Sequence, residues 1–184
     1  MARREPSSND EPHIGARSDM EVVAQMVEHA LTGELSHHAL RVLTVAIRES
    51  AWCRDREGLS RAVGVARRTL HRRLDRAGLC SPRYVLAWAE LLVACRYHEA
   101  GMTLEQVAVR TRRDGSAAIV HLFRSYAGTT PGQLRLQGGT PAALEILRMQ
   151  ILARTRSCGD APGRESQGAG VTLRLERNAS VGGL

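Results

Sequence analysis

The chain has 184 residues and a formal net charge of +7 at pH 7, with 26 arginines and no lysine set against 19 acidic residues. Aromatic residues make up 3% of the chain, which argues against a ring-stacking surface for single-stranded nucleic acid. No apolar run approaches the ~18 residues of a membrane span and the N-terminus lacks the apolar core of a secretory signal, so we expect a cytoplasmic protein without a membrane segment.

Helical periodicity accounts for the body of the chain, and we therefore predict an all-α fold. Residues 1–18 are rich in proline and small polar residues and are expected to form a disordered arm. An N-terminal helix is predicted within 19–35, where apolar residues recur at three- and four-residue steps. A helical body follows over 36–137, then a C-terminal helix within 138–154 and a disordered tail over 155–184.

Within the body, Ser36 is expected to cap a helix that carries an apolar stripe. The next elements are short helices on either side of one long uninterrupted helix, with glycine or proline at the boundaries. The helices predicted after the Ser36 helix are 57–63, 66–76, 83–99, 104–110 and 116–126.

Two short helix pairs in this body repeat one spacing of apolar residues. The first and third apolar positions are 11 residues apart in one unit and 12 in the other, and the last two are four apart in both. The buried positions so predicted are Leu59, Val63, Leu70 and Leu74 in the first unit and Val107, Thr111, Ile119 and Phe123 in the second. Each pair is typical of a helix-turn-helix, whose second helix enters the major groove of DNA.

The excess positive charge lies in the same region. Residues 54–135 hold 15 arginines against seven acidic residues, a net of +8, whereas 1–53 and 136–184 carry −3 and +2. No acidic residue occurs between Ser60 and Leu74, although a merely solvated helix face would normally include some. The side chains predicted to point outward there are Arg67, Arg68, Thr69, His71, Arg72 and Arg73. Because arginine binds both guanine edges and phosphates, this face is predicted to bind double-stranded DNA.

The long helix over 83–99 lies between the two units and would be roughly 25 Å long at ~1.5 Å per residue. A rigid helix of that length can hold two recognition helices near one turn of DNA apart, ~34 Å. We therefore expect one chain to read two adjacent major grooves without forming a dimer.

Three segments carry a resemblance to a known family: the ungapped first unit over 59–74, the entry into the long helix over 81–88, and the closing signature over 120–135. That signature contains Phe123-Arg124, Gly128, Thr130-Pro131 and Arg135. From about Ala39 to Arg135 the chain resembles the DNA-binding domain of the AraC/XylS family of bacterial transcription regulators. The resemblance implies two helix-turn-helix subdomains joined by a long linker helix, so 36–137 would be an AraC-type double helix-turn-helix domain.

The resemblance and the helical periodicity together predict which side chains contact DNA. Base contacts are predicted for Arg67, Arg68, His71 and Arg72 in the first unit and for Ser116, Ala117 and His121 in the second. Phosphate contacts are predicted for Thr69, Arg73, Arg112, Arg113 and Arg124. The second base-contacting set is small and forms weak hydrogen bonds, so we expect the first unit to supply specificity and the second to hold phosphate. Arg112-Arg113 stands where the family usually has Gly-Phe.

Nothing in the sequence predicts catalysis, a metal site or a cofactor. The four cysteines, Cys53, Cys80, Cys95 and Cys158, lack the close spacing of zinc ligands and are expected to be small apolar residues. His37-His38 has no cysteine or carboxylate pattern beside it, and an enzyme would need such converging groups.

Two alternatives remain open. The chain could be a sequence-specific regulator, with double-stranded DNA and also RNA polymerase as predicted partners, or a non-specific DNA-binding or protein-interaction module that keeps the fold. The helix predicted at 19–31 could pair with a second chain, although packing on its own domain is favoured, so a monomer or weak homodimer is expected. Residues 1–38 are too short for the sensing domain that family members often carry, so we expect either a stand-alone DNA-binding protein or a sequence truncated at its start.

Overall fold

The computed structural model describes residues 12–50 and 55–159. Within these ranges the chain forms nine helices and no strand, so the predicted all-α fold is confirmed. The helices are α1 (Pro12–Leu31), α2 (His37–Arg48), α3 (Arg56–Val63), α4 (Arg67–Arg76), α5 (Pro82–Glu99), α6 (Leu104–Arg110), α7 (Ser116–Ala127), α8 (Pro131–Leu136) and α9 (Thr140–Gly159). None of the described helices is both long and apolar enough to cross a membrane.

The two terminal helices are longer than their apolar patterns predict. Helix α1 begins at Pro12 rather than Asp19, so part of the expected disordered arm is helical. Proline suits the first helical position because its missing N–H has no intrahelical acceptor there. Helix α9 continues to Gly159, five residues into the expected disordered tail, because no proline or glycine interrupts the chain between Pro141 and Gly159. The rest of the predicted arm and tail, 1–11 and 160–184, lies outside the described residues.

Helix α5 is the centre of the fold. Ser81 accepts a hydrogen bond from the Tyr84 N–H and Pro82 occupies the first turn, which explains where the helix begins. Twelve of its 18 residues are buried, among them Trp88 and Tyr97, and it contacts each of the other eight helices described. A helix that is apolar on most of its faces must be surrounded by protein. The helix predicted as a linker is therefore also the central element of the core.

Helix α1 packs on its own chain, against α2, α5 and α9. Its apolar face is buried, with Val23, Val27 and Leu31 fully inaccessible. Arg48 at the end of α2 donates hydrogen bonds to the Glu21 and Glu28 carboxylates of α1, at 2.8 and 3.2 Å. Helix α1 was expected either to pair with a second chain or to pack on its own domain, and in the structure it packs on its own domain.

Helix α9 joins the same core, where Leu144, Leu147 and Ile151 are buried. The Glu99 carboxylate, at the end of α5, accepts hydrogen bonds from the backbone N–H and the hydroxyl of Thr140 at the start of α9. Arg148 pairs with Glu34 at 2.8 Å. The terminal helices thus form one hydrophobic core with the helices between them.

Candidate DNA-binding surface

The first helix-turn-helix unit consists of α3 and α4. The predicted buried positions Leu59, Val63, Leu70 and Leu74 are all buried. Asp55 caps α3 by accepting a hydrogen bond from the Gly58 N–H at 2.6 Å, and Gly64 ends α3 with φ +70°. The Ser60 hydroxyl donates to the Val65 carbonyl and closes the turn.

The outer face of α4 presents only arginine, histidine and threonine side chains over its first two turns. The exposed side chains are Arg67, Arg68, His71, Arg72 and Arg73, while Thr69 is partly buried. Within the described ranges, no ion pair joins these arginines to a carboxylate. Ala66 provides no side-chain cap, so the N–H groups of the first turn of α4 receive no side-chain oxygen. This face carries four arginines and one histidine that are available to phosphates and base edges.

The second unit consists of α6 and α7. Thr103 and Gln106 form a capping box at the start of α6. Val107, Ile119 and Phe123 are fully buried, as predicted. Thr111, which was predicted to be buried, is partly buried and donates its hydroxyl hydrogen to the Val107 carbonyl at 2.9 Å.

The turn between α6 and α7 forms without the usual glycine. Arg112 occupies the left-handed region with φ +52°, which is the conformation that glycine would adopt without steric cost. Gly115, with φ +82°, then precedes the first residue of α7. The substitution of Arg112 for glycine is therefore accommodated as backbone strain, and the helix-turn-helix geometry is kept.

The predicted contact residues of the second unit fall into two groups. Ala117, His121 and Arg124 are exposed on α7. Ser116, in contrast, donates its hydroxyl hydrogen to Glu105 Oε1 at 2.5 Å, so a carboxylate of α6 stands at the start of α7. His121 lies 3.4 Å from the Ser125 hydroxyl, one turn along α7.

Arg113 is exposed, but its guanidinium is held by an ion pair with another residue of the chain. Its guanidinium donates to both carboxylate oxygens of Glu90 on α5, with Nη2 at 2.5 Å from Oε2. These hydrogen bonds raise the pKa of Arg113 above its ordinary value. Contact between Arg113 and a DNA phosphate would require this ion pair to open.

Two further arginines border the same surface and had no role in the sequence prediction. Arg56 lines the cleft beside the α4 face and also a second cleft, which extends past Arg83 to His121 on α7. The two clefts therefore have Arg56 in common and together extend from α4 to α7. Arg83 could have been identified as the one charged residue in an otherwise apolar first turn of the long helix. Arg56 carries no comparable signal, because its role depends on how α3 packs against α5.

The fold and this surface define a class of protein: a double helix-turn-helix protein that binds double-stranded DNA. Comparison with protein families agrees, since residues 59–137 match a family described as a helix-turn-helix domain. This match supports an AraC-type helix-turn-helix domain over 59–137 and, in general terms, a role in DNA-binding transcription regulation. The match begins in α3 and ends directly after α8. No curated protein and no solved structure matches the chain.

The described residues contain no group of three or more histidine, cysteine, aspartate or glutamate side chains that could hold a metal ion. The chemistry that this surface supports is electrostatic and hydrogen-bonding recognition of a polyanion.

Proposed function

We propose that the protein is a sequence-specific transcription regulator that reads two adjacent major grooves, with the first helix-turn-helix unit dominant. The single observation that carries this proposal is the outer face of α4. It combines four exposed arginines and the exposed His71, without an ion pair to a carboxylate among the described residues, on a helix anchored by Leu70 and Leu74. Arg67, Arg68, His71 and Arg72 read base edges, and Thr69 and Arg73 hold phosphates.

The second unit contributes mainly affinity. Ala117 offers only a methyl group, which suits a thymine methyl, and Ser116 already hydrogen-bonds to Glu105. Among the predicted base contacts on that helix, His121 is the one whose ring can donate to or accept from a base. Arg124 and Arg112 hold phosphates, and Arg113 joins them if DNA displaces Glu90.

The two clefts between α4 and α7 support simultaneous contact of both helix-turn-helix units with one DNA duplex. Arg56 and Arg83 lie along them, between the α4 face and α7, and they are positioned to neutralise the phosphates that separate two adjacent major grooves. RNA polymerase remains a predicted partner, and a monomer or weak homodimer remains the predicted state.

The decisive experiment is selection of bound duplexes from a random pool at ~150 mM salt, because affinity for DNA depends steeply on salt concentration. Enrichment of one motif about two major grooves long supports the proposal. Weak binding without any enriched motif would instead establish the alternative, a non-specific DNA-binding or protein-interaction module. A variant with Arg68, His71 and Arg72 replaced by alanine is the control, since it should enrich no motif while it keeps the fold.

A further inference from the structure

The carboxylate of Glu105 belongs to α6 but is held beside the first residue of α7, the second recognition helix. Its Oε1 accepts the hydroxyl hydrogen of Ser116 at 2.5 Å and lies 3.4 Å from the Ser116 backbone nitrogen. Glu105 is nevertheless exposed, and within the described ranges its other oxygen, Oε2, accepts no hydrogen bond. A fixed, solvent-facing acceptor therefore stands next to two predicted base contacts, Ser116 and Ala117.

We propose that Glu105 is a specificity-determining residue of the second helix-turn-helix unit, and that its carboxylate accepts a hydrogen bond from the amino group of a cytosine in the major groove. The inference rests on the proposed function and deepens it, because it assigns one base pair to a unit that otherwise supplies mainly affinity. The reading group comes from the first helix of the unit rather than from the recognition helix.

Short side chains on α7 bring DNA within reach of Glu105. The first residues of a recognition helix contact base edges in helix-turn-helix proteins. In α7 these residues are Ser116 and the exposed Ala117, and neither side chain extends far from the helix. A base edge that faces this part of α7 can therefore come close enough to contact a group from α6.

The first unit has no such arrangement. By the repeated spacing of the two units, Arg67 and Arg68 of α4 occupy the positions of Ser116 and Ala117, and Glu57 of α3 occupies the position of Glu105. Within the described ranges, Glu57 forms no ion pair with α4. The start of α4 thus offers hydrogen-bond donors to a base edge, whereas the start of α7 offers acceptors.

The hydrogen-bonding capacity of the Glu105–Ser116 pair selects the base. Ser116 donates its single hydroxyl hydrogen to Glu105, so the serine oxygen and the ionised carboxylate face DNA as acceptors. Guanine and thymine present acceptors in the major groove and are repelled. Adenine presents an acceptor next to its amino group, whereas the major-groove edge of cytosine has an amino donor alone. The pair therefore favours cytosine.

The same contact rejects the wrong base. A carboxylate that approaches DNA loses water and is repelled by phosphates, and only a new donor offsets this loss. The Ser116 hydroxyl and the positive end of the α7 dipole already stabilise the Glu105 carboxylate, and the amino group of cytosine adds the donor that binding requires. A base without an amino group leaves the carboxylate desolvated and unpaired, which is discrimination by an unfavourable contact.

The test is selection of duplexes from a random pool at ~150 mM salt by the parent chain and by two variants. The parent should enrich a cytosine at one position, in the half of the motif that Arg72 does not contact. Glu105→Gln keeps an acceptor for the Ser116 hydroxyl but adds an amide donor. The preference at that position should therefore change from cytosine to adenine, whose N6 and N7 glutamine recognises, and affinity for the cytosine duplex should fall about tenfold.

Asp114→Asn is the matched control, because it removes the same charge from an exposed position two residues before Ser116. It should leave cytosine preferred. Glu105→Ala is the second variant of the reading residue and decides the matter if Glu105→Gln fails to fold. It should lose discrimination at this one base pair and keep the half of the motif that Arg72 contacts.

A cytosine preference that survives in the Glu105 variants would overturn the inference, because a side chain that only caps α7 does not alter the choice of base. An equal loss of affinity on every duplex would overturn it for the same reason. A parent that enriches a motif without this cytosine would overturn the role of Glu105 and leave the proposed function standing. A parent that enriches no motif would overturn both, so the two failures are distinguished.

Discussion

The Tyr84 hydroxyl donates a 2.6 Å hydrogen bond to Oε1 of Gln150, across 66 positions of the sequence. The Gln150 amide in turn donates to the Tyr126 carbonyl at 2.8 Å. Tyr84 lies in the first turn of α5, directly after the first helix-turn-helix unit, and Tyr126 lies near the end of α7. Arg154 of α9 adds a guanidinium over the Tyr84 ring at 4.4 Å. Gln150 of α9, outside the family match, thus connects the start of α5 to the end of α7.

Gln150→Leu is expected to lower the free energy of unfolding by about 1–3 kcal/mol, because it leaves two partly buried groups without their partner. Tyr84→Phe removes one of the two hydrogen bonds and should cost about 1 kcal/mol. Gln137→Leu, at an exposed position, is the control and should stay within ~0.5 kcal/mol of the parent. Urea titrations measure all three. Equal stability of the Gln150 and Gln137 variants would show that the bridge contributes nothing.

The two recognition helices should respond differently to loss of an arginine. Arg72→Ala should weaken the binding free energy for the selected duplex by about 1–3 kcal/mol. The loss should be much smaller on a duplex altered at the base pair that Arg72 contacts. Arg124→Ala should weaken binding to all duplexes alike and lower the salt slope by about 1. Arg156→Ala removes the same charge from an exposed position on α9 and should change neither property. The proposed division of labour is wrong if both α4 and α7 variants lose affinity uniformly.

Arg112 lies in the turn between α6 and α7, where its backbone is strained and its side chain carries a charge. Arg112→Ala and Arg112→Gly delete the same side chain, but only glycine adopts φ +52° without steric cost. The glycine variant should therefore be the more stable of the two by about 1 kcal/mol. Thermal unfolding of the pair measures the difference directly. A more stable alanine variant would mean that the backbone at this position is not left-handed in solution.

Gly139 occupies a left-handed conformation, with φ +65°, and a methyl group there would overlap the Glu99 carboxylate that caps α9. Gly139→Ala should destabilise the protein by about 2–3 kcal/mol, since backbone strain is joined by a displaced cap. Gly64→Ala is the matched control because φ is +70° and no atom lies within 4 Å of the added carbon. It should cost only the backbone strain, about 1 kcal/mol. Equal losses at the two positions would argue against the Glu99 cap.

Burial raises the pKa of the Cys95 thiol to about 12, with the nearby Glu99 carboxylate as a second cause. Because the folded state keeps this proton and the unfolded state loses it near pH 9, the contribution of Cys95 to stability is present below pH 9 and is lost as the pH rises toward 12. In a Cys53→Ser, Cys158→Ser background at pH 8, a thiol reagent should label the partly exposed Cys80 quickly and Cys95 only on unfolding. Fast labelling of both in the folded protein would contradict this burial.

Local signals were sufficient for most of the helices and for the helix-turn-helix units. Leu59, Leu70 and Leu74 are buried because an apolar residue at helical spacing must turn one face inward, whatever lies opposite. The Ser36 cap is likewise a local interaction, since its hydroxyl accepts from the Ala39 N–H three residues away. Periodicity predicts α1 and α9 to be shorter than they are, because helix continuation past the apolar stripe depends on the absence of breakers rather than on periodicity.

The sequence by itself therefore determined the helices, the two repeated units and the charged outer face of α4. The tertiary structure alone decided what those helices pack against. Arg113 was a predicted phosphate contact, but Glu90, 23 residues away, holds its guanidinium. Likewise, no local pattern predicts that Gln150 forms hydrogen bonds with both Tyr84 of α5 and Tyr126 of α7. Periodicity reports which face of a helix is buried, whereas the partner of that face depends on contacts between distant segments.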